Sequence, residues 1–278
     1  MSKQTICIAH SPDSDDAFMF YALAKDKIDT GEFEFIHKLD DIESLNQAAL
    51  EGKYEMTAVS IHAYAYLHER YAMLSCGASM GEGYGPILVS SVPFSSDKLS
   101  ERTIGVPGER TSALLALKLF QPDFEYRVIP FDQIIPAVQR QEVDAGLVIH
   151  EGQLTYLGDG LHKVLDVGEW WLETTGLPLP LGGNVIRRDL GEETIRQVSR
   201  LIKESIQYGL SHREEALAHA LAFGRGLDSG QADEFVGMYV NERTLDYGED
   251  GKEAVQLLLD RGHEAGIIPH RVAVDFIH

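Results

Sequence analysis

Short apolar runs alternate, down to about Leu190, with segments whose apolar residues recur every three or four positions. TICIAHS, FEFIHKL, MTAVS, YAMLSCGAS and GPILVSSV read as strands. SDDAFMFYALAKD, IESLNQAALEGKY and IHAYAYLHERY carry helical spacing between them. TIGVPG, TSALLALKLF, YRVIPF, IIPAVQRQEV and AGLVIHEG continue the alternation. A chain in this order is constrained to an α/β fold: parallel sheet with helices packed on its faces.

From Glu192 the pattern becomes helical throughout, in EETIRQVSRLIKESIQYGL, HREEALAHALAFG, QADEFVGMYVNERTL and EDGKEAVQLLLDRGHEAG. Two stretches read as crossings between lobes. One is SSVPFSS, residues 90–96; the other is GLPLPLGGN, residues 176–184, whose prolines and glycines argue against a helix or a central strand. The expected layout is residues 1–92 plus 184–278 as one discontinuous lobe and 93–183 as the second, with a central cleft and a helical C-terminal region. Ligands in such folds sit beyond the carboxyl ends of strands, near helix N-termini.

Composition excludes several classes. The 278 residues contain 24 Lys+Arg against 44 Asp+Glu, a formal net charge of −20. Binding a phosphate backbone needs a basic surface, so nucleic acid is not an expected partner, nor is an anionic membrane. MSKQTICIAHSPDSDD has no secretory apolar region, and no run approaches the roughly 20 apolar residues of a membrane span, so a cytoplasmic protein is expected. The 2 cysteines, Cys7 and Cys76, lie in apolar runs and make neither a disulfide framework nor a zinc site. HEGQL is not a zincin motif and the 11 histidines are scattered, so no metal is expected.

GASMG at 77–81 has nucleophile-elbow spacing but lacks the helix such a turn needs. GEGYG at 81–85 is an incomplete dinucleotide fingerprint, so no nicotinamide cofactor is expected. Three strand-to-helix turns are more informative. SPDSDDAF holds Ser11, Ser14, Asp15 and Asp16; AVSIHAY holds Ser60; GVPGERTSALL offers Thr111 or Ser112 as a helix cap beside free backbone N–H groups that could take a carboxylate. His150 follows the apolar run Ala145 to Ile149, and His10 ends the first strand in the same way. An imidazole at either address could serve as a base near neutrality.

SPDSDDAFMFYAL, ESLNQAALEG, TAVSIHAYAY, GEGYGPILV, VPGERTSALLAL, DAGLVIHEGQLTY, GLPLPLGGNVIRRDLG and YVNERTLDYGEDG, in this order, resemble the 1,4-dihydroxy-6-naphthoate synthase family of the futalosine route to menaquinone. The companion chorismate dehydratases share the fold, but DAGLVIHEGQLTY is more similar to the naphthoate synthases. The resemblance implies a type II periplasmic-binding-protein fold. It also implies a lyase, without metal or redox cofactor, that converts cyclic dehypoxanthine futalosine to 1,4-dihydroxy-6-naphthoate and releases a sugar-derived fragment. It puts the general base on His150 and substrate contacts on Ala58, Val59, Ser60, Ser112 and Ala113, joined by Thr111 and Asp16 from the turns above. The expected partner is a small carboxylate in the interlobe cleft. The alternatives are a non-catalytic cytoplasmic solute-binding protein and a related lyase with another substrate.

The chain departs from the family pattern at its first motif, usually Ser-Pro-Cys-Pro-Asn-Asp-Thr-Phe. Asp13, Ser14 and Asp15 replace the Cys-Pro-Asn, and Ala17 replaces the Thr. Ala58 stands where a lysine is expected and Glu82 where an arginine is expected, which implies a pocket poorer in cations.

Overall fold

A computed structural model gives the structure of the chain and describes residues 3–223 and 227–277; Gly224, at the end of HREEALAHALAFG, lies outside the described residues. The strands are β1 (Gln4–His10), β2 (Phe33–Leu39), β3 (Met56–Ser60), β4 (Tyr71–Leu74), β5 (Ser79–Gly81), β6 (Ile87–Ser90), β7 (Thr103–Val106), β8 (Glu125–Val128), β9 (Ala145–Val148), β10 (His162–Asp166), β11 (Leu179–Arg187) and β12 (Phe276–Ile277). The helices are α1 (Ser14–Met19), α2 (Tyr21–Ala24), α3 (Ile42–Leu50), α4 (Ile61–Tyr64), α5 (Ser112–Phe120), α6 (Ile134–Gln139), α7 (Gly152–Thr155), α8 (Val167–Thr175), α9 (Glu192–Ser211), α10 (Arg213–Ala220), α11 (Ser229–Tyr239), α12 (Glu242–Leu245) and α13 (Gly248–Glu264).

The strands form two sheets. One has the order β12-β4-β11-β3-β1-β2, with β5 paired to β11; the other has the order β10-β6-β9-β7-β8. Pairing is parallel among β1, β2 and β3 and among β7, β8 and β9, as βαβ order requires. It is antiparallel where β6 meets β9 and β10, and where β11 meets β3, β4 and β5. The sheets are therefore mixed, not parallel throughout. β6 and β11 carry the chain from one sheet to the other, and a strand delivered by such a passage is free of the parallel crossover rule.

Both expected crossings need correction. β6 already belongs to the second sheet, so the first passage comes before Ile87 rather than at 90–96. The segment GLPLPLGGN is largely strand: β11 begins at Leu179, runs through Pro180, Gly182 and Gly183, and lies between β3 and β4. Pro180 is tolerated because it pairs with short β5, where the register shifts between Pro180 and Gly182. Gly183 is required by close packing, since a Cβ there would meet Tyr247 Oη at 2.3 Å and Met73 Sδ at 2.9 Å. Taking each sheet as the centre of a lobe, we propose lobe boundaries just before Ile87 and just before Leu179, earlier than 93 and 184.

Three of the expected helices are broken. QADEFVGMYVNERTL is interrupted at Val240 and Asn241, giving α11 and α12. SDDAFMFYALAKD divides at Phe20 into α1 and α2, and IHAYAYLHERY is helical only over α4 before turns take over. The main apolar core joins both sheets through α4, α5, α8 and α13, with Trp171, Tyr64, Tyr71 and Tyr247 fully buried. A second cluster packs α9 on the β1 side of the first sheet through Ile195, Val198, Ile202 and Ile206. Cys76 is buried and Cys7 half-buried. Among the described residues no helix is long and apolar enough to cross a membrane.

Candidate active site

The turns singled out from the sequence open into one cavity. It encloses about 810 Å³ of space between atoms, part of it open to solvent. Asp16, Ala58, Val59, Ser60, Thr111, Ser112 and Ala113 all line it, together with Ser11, Asp13 and Asp15. The lining follows from topology. β1, β3, β7 and β9 all deliver their carboxyl ends to this place, and each is followed by a helix.

Each turn is held by a defined set of hydrogen bonds. Asp41 caps α3, accepting from Glu43 N–H at 3.0 Å and Ser44 N–H at 3.1 Å. That fixes Asn46, fully buried on α3, whose Nδ2 donates to Ser60 Oγ at 3.1 Å and whose Oδ1 accepts from Ser60 N–H at 2.9 Å. Thr111 caps α5: its hydroxyl accepts from Leu114 N–H at 3.3 Å and donates to Gly108 O at 3.0 Å. The amides of Ser112 and Ala113 belong to the first turn, where a helix offers N–H groups that have no intrahelical acceptor. Ser112 Oγ accepts from His62 N–H at 3.2 Å and donates to Leu181 O at 2.5 Å. The Ser112 hydroxyl is thus committed to joining α5 to α4 and β11, and only the Ser60 hydroxyl keeps its proton for a ligand among these three.

Further bonds cross between the two sheets' surroundings. Glu43 Oε2 on α3 accepts from Arg110 N–H at 3.3 Å, and Gly108 leaves room for it, because a Cβ there would meet that oxygen at 2.4 Å. On the other side Tyr239 of α11 donates to Gln153 Oε1 of α7 at 2.7 Å, both residues being buried. Burial pushes the Tyr239 phenol up, so it stays a donor.

The electrostatics are acidic. Ser11 N–H donates to Asp16 Oδ2 at 2.7 Å, and Ser11 Oγ donates to Asp13 Oδ2 at 2.6 Å. Burial pushes Asp16 up to about 7, against the lowering effect of Ser11 N–H and with Asp13 adding to the rise. Asp15 is also raised well above the carboxylate range, first by burial and then by Asp16, Asp13 and Glu151. Both keep some exposure through the cavity, but protein surrounds them closely. Among the described residues lining the cavity none is a lysine, arginine or histidine. Ala58 lies on that lining; Glu82 does not, and instead pairs with Arg243, which also makes a bidentate pair with Asp250 at 2.7 Å.

The two strand-end histidines have different surroundings. The lining reaches Ile149, the residue after β9, and His150 comes next with 13 % of its side chain exposed. His150 Nδ1 accepts from Gly152 N–H at 3.0 Å, so Nε2 carries the proton and donates to Phe131 O at 3.2 Å. Glu151, 2 % exposed, brings Oε2 to 3.9 Å from Nδ1. His10 donates from Nδ1 to Ser11 O at 3.0 Å and accepts at Nε2 from His37 Nδ1 at 3.1 Å. Burial, with His37 adding, pushes His10 down to about 3.

Several lining residues escaped the sequence reading. Asn184, Leu181 and the paired glycines come from β11, whose first residues read in the sequence as a crossing between lobes; Phe235 and Tyr239 come from α11, far along the chain. The signal for Asn46, a lone amide on the apolar face of α3, was present but undirected.

The chain is similar to known proteins over nearly its whole length. Residues 6–264 match the family model described as menaquinone biosynthesis. The chain is 39% identical over 264 residues to a 1,4-dihydroxy-6-naphthoate synthase of Thermus thermophilus, covering 95% of this chain and 96% of that protein. It is 37% identical over 275 residues to one of Streptomyces coelicolor, covering 97% and 96%. An X-ray structure of a protein from Archaeoglobus fulgidus superposes with a TM-score of 0.91 at 47% identity, covering 95% of this chain and 98% of that one. The alkanesulfonate-binding protein SsuA of Xanthomonas axonopodis superposes with a TM-score of 0.70 at 11% identity, covering 99% and 97%. That likeness bears on fold alone, and it agrees with the two-lobed periplasmic-binding-protein architecture seen here. With a family match across most of its length and relatives above a third identical, the chain belongs to the menaquinone-biosynthesis family.

Proposed function

We propose that the chain is a lyase converting cyclic dehypoxanthine futalosine to 1,4-dihydroxy-6-naphthoate, with His150 as general base. One observation carries the reading: full-length similarity to two bacterial proteins named 1,4-dihydroxy-6-naphthoate synthase, at 39% and 37% identity. The substrate carboxylate rests on the Ser112 and Ala113 amides and the Ser60 hydroxyl, which supply donors where the lining has no cation. Forming an aromatic ring by breaking an adjacent bond requires removal of a proton from carbon. Phe131 O, by holding Nε2–H, leaves Nδ1 as the basic nitrogen of His150. Taking the proton there displaces the Gly152 N–H and sets the imidazolium 3.9 Å from the Glu151 carboxyl.

A related lyase with another substrate is the second reading, favoured by the three aspartates on a lining without cations. The purified chain, incubated with cyclic dehypoxanthine futalosine and analysed chromatographically, is expected to release the naphthoate. Absence of product at high enzyme concentration sinks the first reading; binding without turnover then points to a solute receptor, and no binding to a different substrate.

A further inference from the structure

Asn184 sits on β11, 1 % exposed, and lines the cavity. Its Nδ2 lies 3.4 Å from Gly77 O and 3.4 Å from Met19 Sδ. That orientation is fixed, since turning the amide over would set Oδ1 against the Gly77 carbonyl oxygen. Oδ1 has no hydrogen-bond partner. Buried acceptors are rarely left so, because a desolvated oxygen without a donor raises the free energy of the fold.

The surroundings indicate which donor is missing. Met19 is one helical turn beyond Asp15 on α1, so Asn184 faces the same end of the cavity as Asp15 and Asp16. That end offers acceptors, whereas the α5 amides and Ser60 offer donors. Asp16, raised by burial to about 7, is only partly charged near neutrality, which suits hydroxyl groups better than a full cation. Carboxylates also grip sugar hydroxyls in dinucleotide sites.

We infer that Asn184, with Asp15 and Asp16, forms the subsite for the hydroxyl-bearing part of the ligand, Asn184 Oδ1 accepting from a ligand hydroxyl. This rests on the reaction proposed above: the hydroxyls meant are those of the sugar-derived part that is released, not the two phenolic hydroxyls that the naphthoate itself carries. The ligand then lies with its carboxylate at α5 and its hydroxyls at α1. Asn184 becomes a specificity residue for the sugar-derived part and not for the naphthoate.

Two probes separate these roles. The full chain and its Asn184→Ala and Asn184→Asp forms are titrated calorimetrically with cyclic dehypoxanthine futalosine and with 1,4-dihydroxy-6-naphthoate, which lacks the sugar-derived part. Asn184→Ala should weaken the first by roughly tenfold or more and change the second less than about twofold. Asn184→Asp keeps an acceptor oxygen at the same place and, as the neutral acid, still donates to Gly77 O, so it should recover most of the loss toward acid pH, where that form dominates, and guards against a misfolded alanine form. Equal weakening of both probes, or of neither, overturns the inference while leaving the reaction standing. An unaltered chain that binds neither probe overturns the reaction and this inference together.

Discussion

Asn46 and Ser60 are joined by two hydrogen bonds, side-chain amide to hydroxyl at 3.1 Å and backbone N–H to amide oxygen at 2.9 Å. Asn46 has thereby filled the acceptor side of the Ser60 hydroxyl, and the hydroxyl proton is left for the cavity. Ser112, at the head of α5, has its proton on Leu181 O at 2.5 Å. The two serines should therefore fail differently. Ser60→Ala is expected to weaken substrate binding about tenfold, the loss of one hydrogen bond to a charged group, with a smaller stability loss of about 1 kcal/mol or less, because Asn46 Nδ2 keeps Glu43 Oε2 at 3.4 Å. Ser112→Ala should cost about 1–3 kcal/mol of stability, because it strands the His62 N–H and the Leu181 carbonyl. Steady-state KM and urea midpoints measured on both variants decide between these outcomes.

His150→Ala should abolish naphthoate formation while circular dichroism and the thermal midpoint stay near those of the unaltered chain. His10→Leu should leave turnover measurable, since both His10 nitrogens are bonded within the fold. Turnover that survives in His150→Ala would transfer the base to another group.

Stability should depend on pH in two opposed ways. His10 is pushed down to about 3 in the fold from an ordinary value of 6.5. Its contribution is complete above about pH 6.5 and is lost as pH falls from there toward 3, where the unfolded chain binds the extra proton. Asp16 is pushed up to about 7 from 3.8. Its contribution is complete below 3.8 and is lost as pH rises through 7. Asp16→Asn should then gain stability over the unaltered chain between pH 4 and pH 8, and His10→Leu should flatten the acid loss. Urea unfolding at a series of pH values reads both slopes, and parallel curves would contradict the assignment.

Gly183→Ala should destabilise by about 1–3 kcal/mol, as overpacking in a central strand does. The new methyl would press on Tyr247 Oη and Met73 Sδ, both side chains being fully buried beside β11. A thermal midpoint unchanged from the parent would show that this packing can open.

Local periodicity made the strand–helix order readable, and with it the carboxyl-end turns at Asp16, Ser60 and Thr111. It failed at Pro180, Gly182 and Gly183. Breakers in a strand are excused by register and by close approach, and both are properties of the neighbours β5, β4 and Tyr247. Glu82 shows the same limit. Its charge raised the prospect of an acid in the pocket, and Arg243, distant in sequence, takes that charge elsewhere.

By itself, then, the sequence determined the α/β order, the helical C-terminal region and the identity of the turns that carry hydroxyl and carboxyl groups, because these depend on spacing along the chain. Only the tertiary structure decided that those turns share one cavity, that the Ser112 proton is committed while that of Ser60 is not, and that Asn184 lines the same cavity. Those facts depend on which surfaces are pressed together across the two sheets, and on which buried donors and acceptors that packing leaves to satisfy one another.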